Sequence, residues 1–401
     1  MRNSILHLAD LHLGAAPQPN LDERDRSYLV AARHQVLDRL AHWIARHDCP
    51  VGLVLIAGDL FDHYDPPSDL VATTRAALGK IAQVVPVITV PGNHDELSYA
   101  QCVYRQPGWP GVLVDAPQPR VVWQGDLAGR RCAVVSAAYQ AGKVPPGQKL
   151  ALPSRKEVFP RNGDDALLIG LFHATVADYF PRHVVQNERC FWISHREAAD
   201  LGYDYLAVGH IHRRQEWLAG RCLAHYPGPP LGPRLSDPGS GCFSLVRWDR
   251  SQSRIEALRD AGLLGCAWKI LEIDVRPDET VEQLGERIVG QFGDSLSQNA
   301  VPLIHGVRLK GHTLRPDLVK QLETFFREKA LSCLIMADGL EELVPPDIEA
   351  LAKEESLVGY FVRQWQDWKQ AQHVPPAEST AVLYEGLLAL GWRRTEGRLN
   401  S

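Results

Sequence analysis

Short apolar runs alternate with helically spaced apolar residues through the first ninety positions. Ile5-Leu6-His7-Leu8-Ala9 reads as a strand, and Leu29, Val36, Leu40 and Ile44 then recur at the spacing of one helix face. Gly52–Ala57 is a continuous apolar run of the buried-strand type, closed by Gly58. Ser68 is placed to cap a helix that carries Leu70, Thr74, Ala77 and Ile81 on one side. Val84–Val90 supplies a third strand, ended by Pro91-Gly92. Strand, helix, strand, helix, strand is the order of parallel pairing with right-handed crossovers, which predicts an α/β sheet covered by helices.

From about residue 120 the strands come closer together: Arg120–Trp123, Cys132–Ala138, Ala166–Phe172, Tyr205–Val208, Arg221–His225 and Cys242–Trp248. They predict a second sheet of antiparallel or mixed strands. The Pro/Gly-rich loops Val144–Pro153 and Pro227–Gly241 interrupt it, both long enough for a functional role. The pattern changes after residue 265. Trp268–Val275, a helix over Val281–Phe292, Ile304–Leu309, a helix over Asp317–Lys329 and Ser332–Met336 form a compact βαβαβ unit. Pro345-Pro346 opens a helical tail over Ile348–Gln370, and Pro375-Pro376 sets off a last helix near Thr380–Leu390. The expected divisions are therefore 1–265, 266–344 and 345–401.

Composition narrows the class. With 401 residues, 45% apolar and 23% charged, the chain is an ordinary globular protein rather than a disordered or fibrous one. Its formal charge of −5 excludes a polycation that coats nucleic acid in bulk, though not local basic patches. No apolar run approaches the ~20 residues needed to span a bilayer. The start of the chain lacks a signal-peptide layout. Eight scattered cysteines without a CxxC pair fit buried thiols in a reducing compartment, so a cytoplasmic location is expected.

Polar motifs stand at the C-terminal ends of the predicted strands: Asp10-Leu11-His12, Gly58-Asp59, Gly92-Asn93-His94-Asp95, His173 and Gly209-His210-Ile211-His212. Loops at that edge of an α/β sheet converge on one crevice. Carboxylate, imidazole and amide oxygen suit borderline divalent ions such as Mn²⁺, Fe²⁺ or Zn²⁺, whereas all-oxygen Mg²⁺ or Ca²⁺ sites need no such run of histidines. Asp10, His12, Asp59, Asn93, His173, His210 and His212 give seven donors, and one shared carboxylate raises them to eight bonds, enough for two ions. Two ions about 3.5–4 Å apart can grip a phosphoryl group and activate a bridging water. The glycines before Asp59, Asn93 and His210 are expected to let the backbone turn sharply there.

In that order these motifs resemble the calcineurin-like metallophosphoesterases. LHLADLHLG (Leu6–Gly14) and GDLFDHYDPPS (Gly58–Ser68) resemble the DNA-repair nucleases of the SbcD type. His225-Tyr226-Pro227-Gly228 with Gly241-Cys242-Phe243 is similar to their YhaO-like branch. The resemblance is close over about residues 4–250 and one of architecture alone beyond. It implies a four-layer α-β-β-α sandwich with a small α/β cap and a helical C-terminal extension. It also implies that Asp10, His12 and His212 hold one ion, that Asn93, His173 and His210 hold the other, and that Asp59 bridges both. His94 would serve the transition state or the leaving oxygen, with Asp95 behind the ligands. The implied activity is hydrolysis of DNA phosphodiester bonds with two divalent ions, Mn²⁺ first. The implied partners are DNA and an SbcC-like ATPase gripped by the C-terminal helices, with a homodimer left open. One departure stands out: some family nucleases carry histidine three residues after the bridging aspartate, where this chain has Asp62 followed by His63.

Other features carry less. His7 lies inside a strand and reads as a structural, hydrogen-bonded histidine, and His183, His195 and His225 fall near the site without a motif of their own. Arg105, Arg155, Lys156, Arg161, Arg213 and Arg214 are candidates to pair with backbone phosphates. Tyr104, Trp109 and Tyr139 are candidates for base stacking. The tail stripe Leu351, Val358, Phe361, Val362, Trp365 and Trp368 is expected to dock a partner, the alternative being packing on the βαβαβ unit. Two rival functions stand beside the nuclease: a phosphatase or phosphodiesterase on small molecules or proteins, and a scaffold that has lost its metals.

Overall fold

The computed structural model describes all residues except 1, 17–20, 162, 164, 182–184, 186–188, 233–240, 249–252, 259, 277–278, 294–301, 314, 316, 343–346, 373–375 and 393–401. The chain divides into two compact units, the first essentially residues 1–267 and the second 268–401.

In the first unit, β1 (Ser4–Leu8), β2 (Val51–Ala57), β3 (Val87–Val90) and β4 (Val112–Leu113) run parallel, as the alternating pattern predicts. The helices Glu23–Ala45 and Ser68–Ala82 are the crossovers, and they turn Leu29, Val36, Leu40 and Ile44, and Leu70, Thr74, Ala77 and Ile81, into the core. Ser68 is not the cap: Pro67 holds that position in extended backbone, and Ser68 is the first helical residue.

The second sheet is built from β5 (Arg120–Leu127), β6 (Arg130–Ser136), β7 (Gln148–Lys149), β8 (Leu167–Val176), β9 (Phe191–Ile193), β10 (Tyr205–Gly209), β11 (Gln215–Ala219) and β12 (Cys222–Tyr226). Its main path is β11-β12-β10-β8-β6-β5. The four central strands are parallel and each end is closed by an antiparallel hairpin, so the sheet is mixed. One predicted member goes elsewhere. β13 (Phe243–Trp248) pairs antiparallel with β1, with β14 (Ser253–Leu258) beyond it, and so extends the first sheet. Its apolar pattern suits either sheet; the open edge of β1 takes it.

The sheets meet face to face, with β2 and β3 against β8 and β2 also against β10. The outer face of the second sheet is covered by Val158, Phe159, Ala198 and Tyr203, from the one- and two-turn helices Arg155–Val158 and His195–Asp200 and the segment after them. The result is the layered α/β architecture of the metallophosphoesterase fold, with its parallel strands ending at a common edge.

The second unit has a three-stranded sheet in the order β15 (Ala267–Val275), β16 (Leu303–Thr313), β17 (Leu334–Glu342), with helices Val281–Phe292 and Leu318–Glu328 sharing its apolar core. The tail is three helices rather than two, Ile348–Ala352, Leu357–Gln372 and Pro376–Ala389. The break falls at 353–356, where the Ser356 hydroxyl accepts the Gly359 N–H at 3.1 Å and starts a new helix. Among the described residues no helix is long and apolar enough to cross a membrane. All eight cysteines are thiols outside any disulfide, and seven are buried.

Candidate metal centre

The site residues follow β1, β2, β3 and β10, at one edge of the two facing sheets, except His173, which lies within β8 because that strand runs on to Val176 rather than ending at Phe172. Their backbone is unusual. Asp10 (φ 55°), His12 (φ 44°), Asp59 (φ 48°) and His210 (φ 107°) are four of the six non-glycine residues with positive φ among those described. L-residues there cost of order 1–3 kcal/mol each, and such strain concentrates at functional sites.

The three preceding glycines do different jobs. Gly58, at φ +84°, fits the expected sharp turn, and a Cβ there would also lie 2.2 Å from His173 Nδ1. Gly92 and Gly209 have no positive φ and are small for space. A Cβ would fall 2.0 Å from Asp59 Oδ1 at Gly92 and 1.9 Å from the Ala57 carbonyl at Gly209. These two glycines let the segments that carry Asn93 and His210 approach β2.

The side chains then converge. Ligand atoms of Asp10, His12 and His212 lie within 4.8 Å of one another, as do those of Asp10, Asp59 and His173, and those of His12, Asp59 and His94. His12 Nδ1 donates to Asp62 Oδ1 at 2.9 Å, which turns Nε2 toward His212 Nε2 at 3.0 Å. His173 Nδ1 donates to the Ala57 carbonyl at 3.0 Å, which leaves Nε2 as a bare acceptor 2.8 Å from Asn93 Oδ1. His210 Nδ1 reaches the same Asn93 oxygen at 3.1 Å. Asp59 lies between the groups, its Oδ2 3.7 Å from His12 Nε2 and 3.5 Å from His173 Nε2. Its Oδ1 accepts the His94 N–H at 2.9 Å.

This arrangement fits cations. Asp10 is fully buried; its Oδ1 accepts the His210 N–H at 2.9 Å, but Oδ2 has no hydrogen-bond partner. A buried carboxylate oxygen left this way is costly unless a positive charge meets it. Burial, and then the charge of Asp59, push Asp10 up to about 7. Burial drives His173 down to about 4, and burial with the charge of His12 does the same to His212, so both rings are neutral and present lone pairs. His12 moves the other way: burial lowers it, but the hydrogen bond to Asp62 and the charges of Asp59 and Asp10 raise it overall. Burial would raise Asp59, yet the imidazoles of His173, His12 and His94 outweigh it and hold the carboxylate low. The negative charge that raises His12 is the charge that would hold a metal ion.

Asp95 stands behind the candidate ligands. It is fully buried and accepts from the Gly92 N–H at 2.7 Å, the Phe61 N–H at 3.1 Å and the Tyr104 hydroxyl at 2.7 Å, tying the two ligand loops together. Burial and then Asp59 raise it to about 6. His94 is at the rim, with 44% of its side chain exposed and Nδ1 donating to the Asp62 carbonyl at 3.0 Å. The sequence showed Asp62 only as a departure from the family pattern, and its role in fixing the His12 ring went unread, as did that of the Ala57 carbonyl in fixing His173, because a backbone carbonyl leaves no signal there.

The peripheral candidates fare differently. Arg155 donates to the carbonyls of Gly202, Gly163 and Ala166 and pairs with Asp204, so it is a structural tether and not a phosphate contact. Arg214 donates to Ser244, within a buried cluster of His225, Ser244, His7 and Tyr205. Arg105 spends Nε and Nη2 on the Leu97 carbonyl. Arg213, Lys156 and Arg161 remain exposed. Tyr104 and Tyr139 are 4% and 2% exposed and offer no face to a base, and the Trp109 indole points at Thr89. His7 and His195 are structural, bonded to Tyr205 and to Tyr179 and the Cys222 carbonyl. His183 and most of the loop Pro227–Gly241 lie outside the described residues.

A two-sheet sandwich whose parallel strands deliver Asp-x-His, Asp, Asn-His, His and His-x-His to one edge defines a metallophosphoesterase, and the sequence profile of the calcineurin-like phosphoesterases matches residues 4–214. The chain belongs to that family, whose members hydrolyse phosphoesters with divalent metals. Among its relatives, it is 23% identical over 324 residues to the uncharacterized metallophosphoesterase YhaO of Bacillus subtilis (strain 168), across 77% of this chain and 72% of that one. It is 25% identical over 339 residues to the SbcD component of the nuclease SbcCD of the same organism, across 70% of this chain and 81% of that one. The DNA double-strand break repair protein Mre11 of Methanopyrus kandleri is 24% identical over 241 residues, across 56% of this chain and 48% of that one.

Proposed function

We propose that this chain is a metal-dependent DNA nuclease that uses two divalent ions, Mn²⁺ foremost. The observation that carries the reading is the convergence of metal-type ligand atoms around Asp59: ring nitrogens of His173 and His212, the Asn93 oxygen, and Asp10 Oδ2, which has no hydrogen-bond partner. In this reading Asp10, His12 and His212 would hold one ion, Asn93, His173 and His210 the other, and Asp59 would serve both. Bound ions neutralise phosphoryl charge and acidify a water. The protein's own share is orientation and proton handling. Asp62 and the Ala57 carbonyl fix two rings, Asp95 fixes the loops, and His94, tethered by Nδ1, keeps Nε2 for a phosphate or leaving oxygen. DNA as substrate draws support from the similarity to a protein named as part of a nuclease.

The test is cleavage of end-labelled single- and double-stranded DNA across a panel of divalent ions, against nitrophenyl phosphate esters, with His94→Ala as control. Metal-dependent DNA cleavage lost in His94→Ala supports the nuclease. Turnover of the small esters alone makes the chain a phosphatase or phosphodiesterase. Undiminished activity in Asp59→Ala would mean that the centre lies elsewhere.

The ATPase partner enters on the same footing, with a changed docking face. Leu351, Val362 and Trp365 pack on Leu383 and Leu387 of the chain's last helix, not on the βαβαβ unit and not outward. Leu357 and Tyr360 stay 69% and 57% exposed beside Phe361, Gly386 and Leu390. Leu357→Glu with Tyr360→Glu, and deletion of 345–401, should each abolish binding of an SbcC-like ATPase while DNA cleavage persists. Unchanged complex formation would remove this partner.

A further inference from the structure

Three aromatic rings form a column that starts one residue past Asp62. The Tyr64 and Tyr99 planes lie within 14° of each other with centroids 3.9 Å apart. His63 rests on Tyr64 with centroids 4.0 Å apart and planes 33° from parallel. Two rings that close to Tyr64 cannot share one of its faces, so His63 and Tyr99 cover opposite faces and Tyr64 is the middle of the stack. Its parts are tied down. The Tyr64 carbonyl accepts the Val103 N–H at 2.9 Å, and the Tyr99 hydroxyl accepts from Arg189 at 3.2 Å. Arg189 is itself held by the fully buried Glu96 at 2.6 Å. The Asp65 N–H donates to His63 Nδ1 at 3.1 Å, which fixes the ring that ends the column.

His63 is exposed, whereas Tyr64 and Tyr99 are half-buried, so the column ends in a ring open to solvent. That end is next to the chemistry: the residue before His63 is Asp62, whose carbonyl holds His94 and whose carboxylate holds His12. Ordinary packing accounts for Tyr64 and Tyr99, each covered by a neighbour. It does not account for a fixed ring at the surface that ends a stack one residue from Asp62, the residue that holds His12 and His94.

We propose that the open face of His63 is a stacking platform for an unpaired base beside the scissile phosphate, and that it selects flexible single-stranded DNA. The proposal rests on the nuclease reading above and deepens it. A base in a duplex already has both faces covered by its neighbours, so a free strand can extend the column and an intact helix cannot. Stacking of this kind tolerates any sequence, because every base has a π-face.

The experiment measures binding of the full-length protein to fluorescein-labelled, phosphorothioate-linked oligothymidylate, which resists cleavage, by anisotropy, with the equivalent duplex alongside. His63→Ala is expected to weaken single-strand binding about 5- to 150-fold, the range one lost base–aromatic stack gives. His63→Phe, which keeps a ring and removes the imidazole nitrogens, is expected to recover most of it, and Tyr64→Leu to lose it by unseating His63. With cleavable DNA the loss should fall on KM more than kcat, and the ratio of DNA to nitrophenyl ester turnover should drop in His63→Ala. Wild-type binding in His63→Ala, no recovery in His63→Phe, or equal wild-type affinity for duplex would each overturn the platform. Tight single-strand binding with no DNA cleavage would sink the nuclease reading and leave the platform standing. DNA cleavage with unchanged binding in His63→Ala would do the reverse.

Discussion

At the residue scale the centre is governed by atoms that are not ligands. Asp62 accepts from His12 Nδ1 and thereby selects the tautomer whose Nε2 faces His212. Groups that orient a metal's histidines typically matter 10- to 100-fold, so Asp62→Ala should lower metal affinity or metal-dependent turnover by about that factor, measured by titrating Mn²⁺ into the chelator-treated protein. Gly92 packs against the Asp59 carboxylate, with a built Cβ only 2.0 Å from Asp59 Oδ1. Gly92→Ala should therefore displace Asp59, abolish turnover and cost about 1–3 kcal/mol of stability by overpacking, read from denaturant melts. Both residues lie in recognised motifs, but their reasons were not legible there. A sequence displays a glycine or an aspartate without the atom it faces.

At the scale of elements, the long, strongly periodic helices were readable because one face of each is buried along its whole length. The helix predicted over Val281–Phe292 has those bounds, since Thr280 caps it and accepts from Gln283. The tail was read less well. Its apolar stripe is as regular as a docking face, yet it closes a private core in which Trp365 is 6% exposed and donates to the Ser379 carbonyl at 2.6 Å. Trp365→Ala should unfold the last helix and cost about 3–5 kcal/mol, seen as lost helical ellipticity and a lowered melting midpoint. Periodicity tells that a face is covered and leaves open what covers it. The same ambiguity sent β13 to the wrong sheet: its alternation marks a strand, but the free edge of β1 chooses the partner.

For the molecule as a whole, the two facing sheets enclose titratable groups that make the fold sensitive to acid. Burial, with the charge of Arg214, drives His225 from 6.5 down to about 3, and burial with His225 and Arg214 drives His7 well below its ordinary value. A histidine with a depressed folded pKa leaves more protons on the unfolded chain as the pH falls. Its contribution is intact above about 6.5 and is lost progressively toward 3 for His225. Each such group adds up to about 1.4 kcal/mol per pH unit to the slope. Urea midpoints at pH 8, 6 and 4.5 should fall in that order, and His225→Gln should flatten the decline. A pH-independent midpoint would show that the cluster is not buried as described.

What the sequence determined is the chemistry and its approximate address: seven metal-type donors, each just past a strand, in an order that fits one sheet edge. Local pattern carries that much, because burial and backbone period act between near neighbours in the chain. Only the tertiary structure decided which atoms meet. His12 faces His212 across 200 positions and Asn93 reaches His173 across 80, while Arg214 turns into the protein and Tyr99 joins His63 and Tyr64 in a ring column. Such meetings depend on the register and close approach of two sheets, on where glycine leaves room and which edge stays open, and those are properties of the packed chain rather than of any one segment.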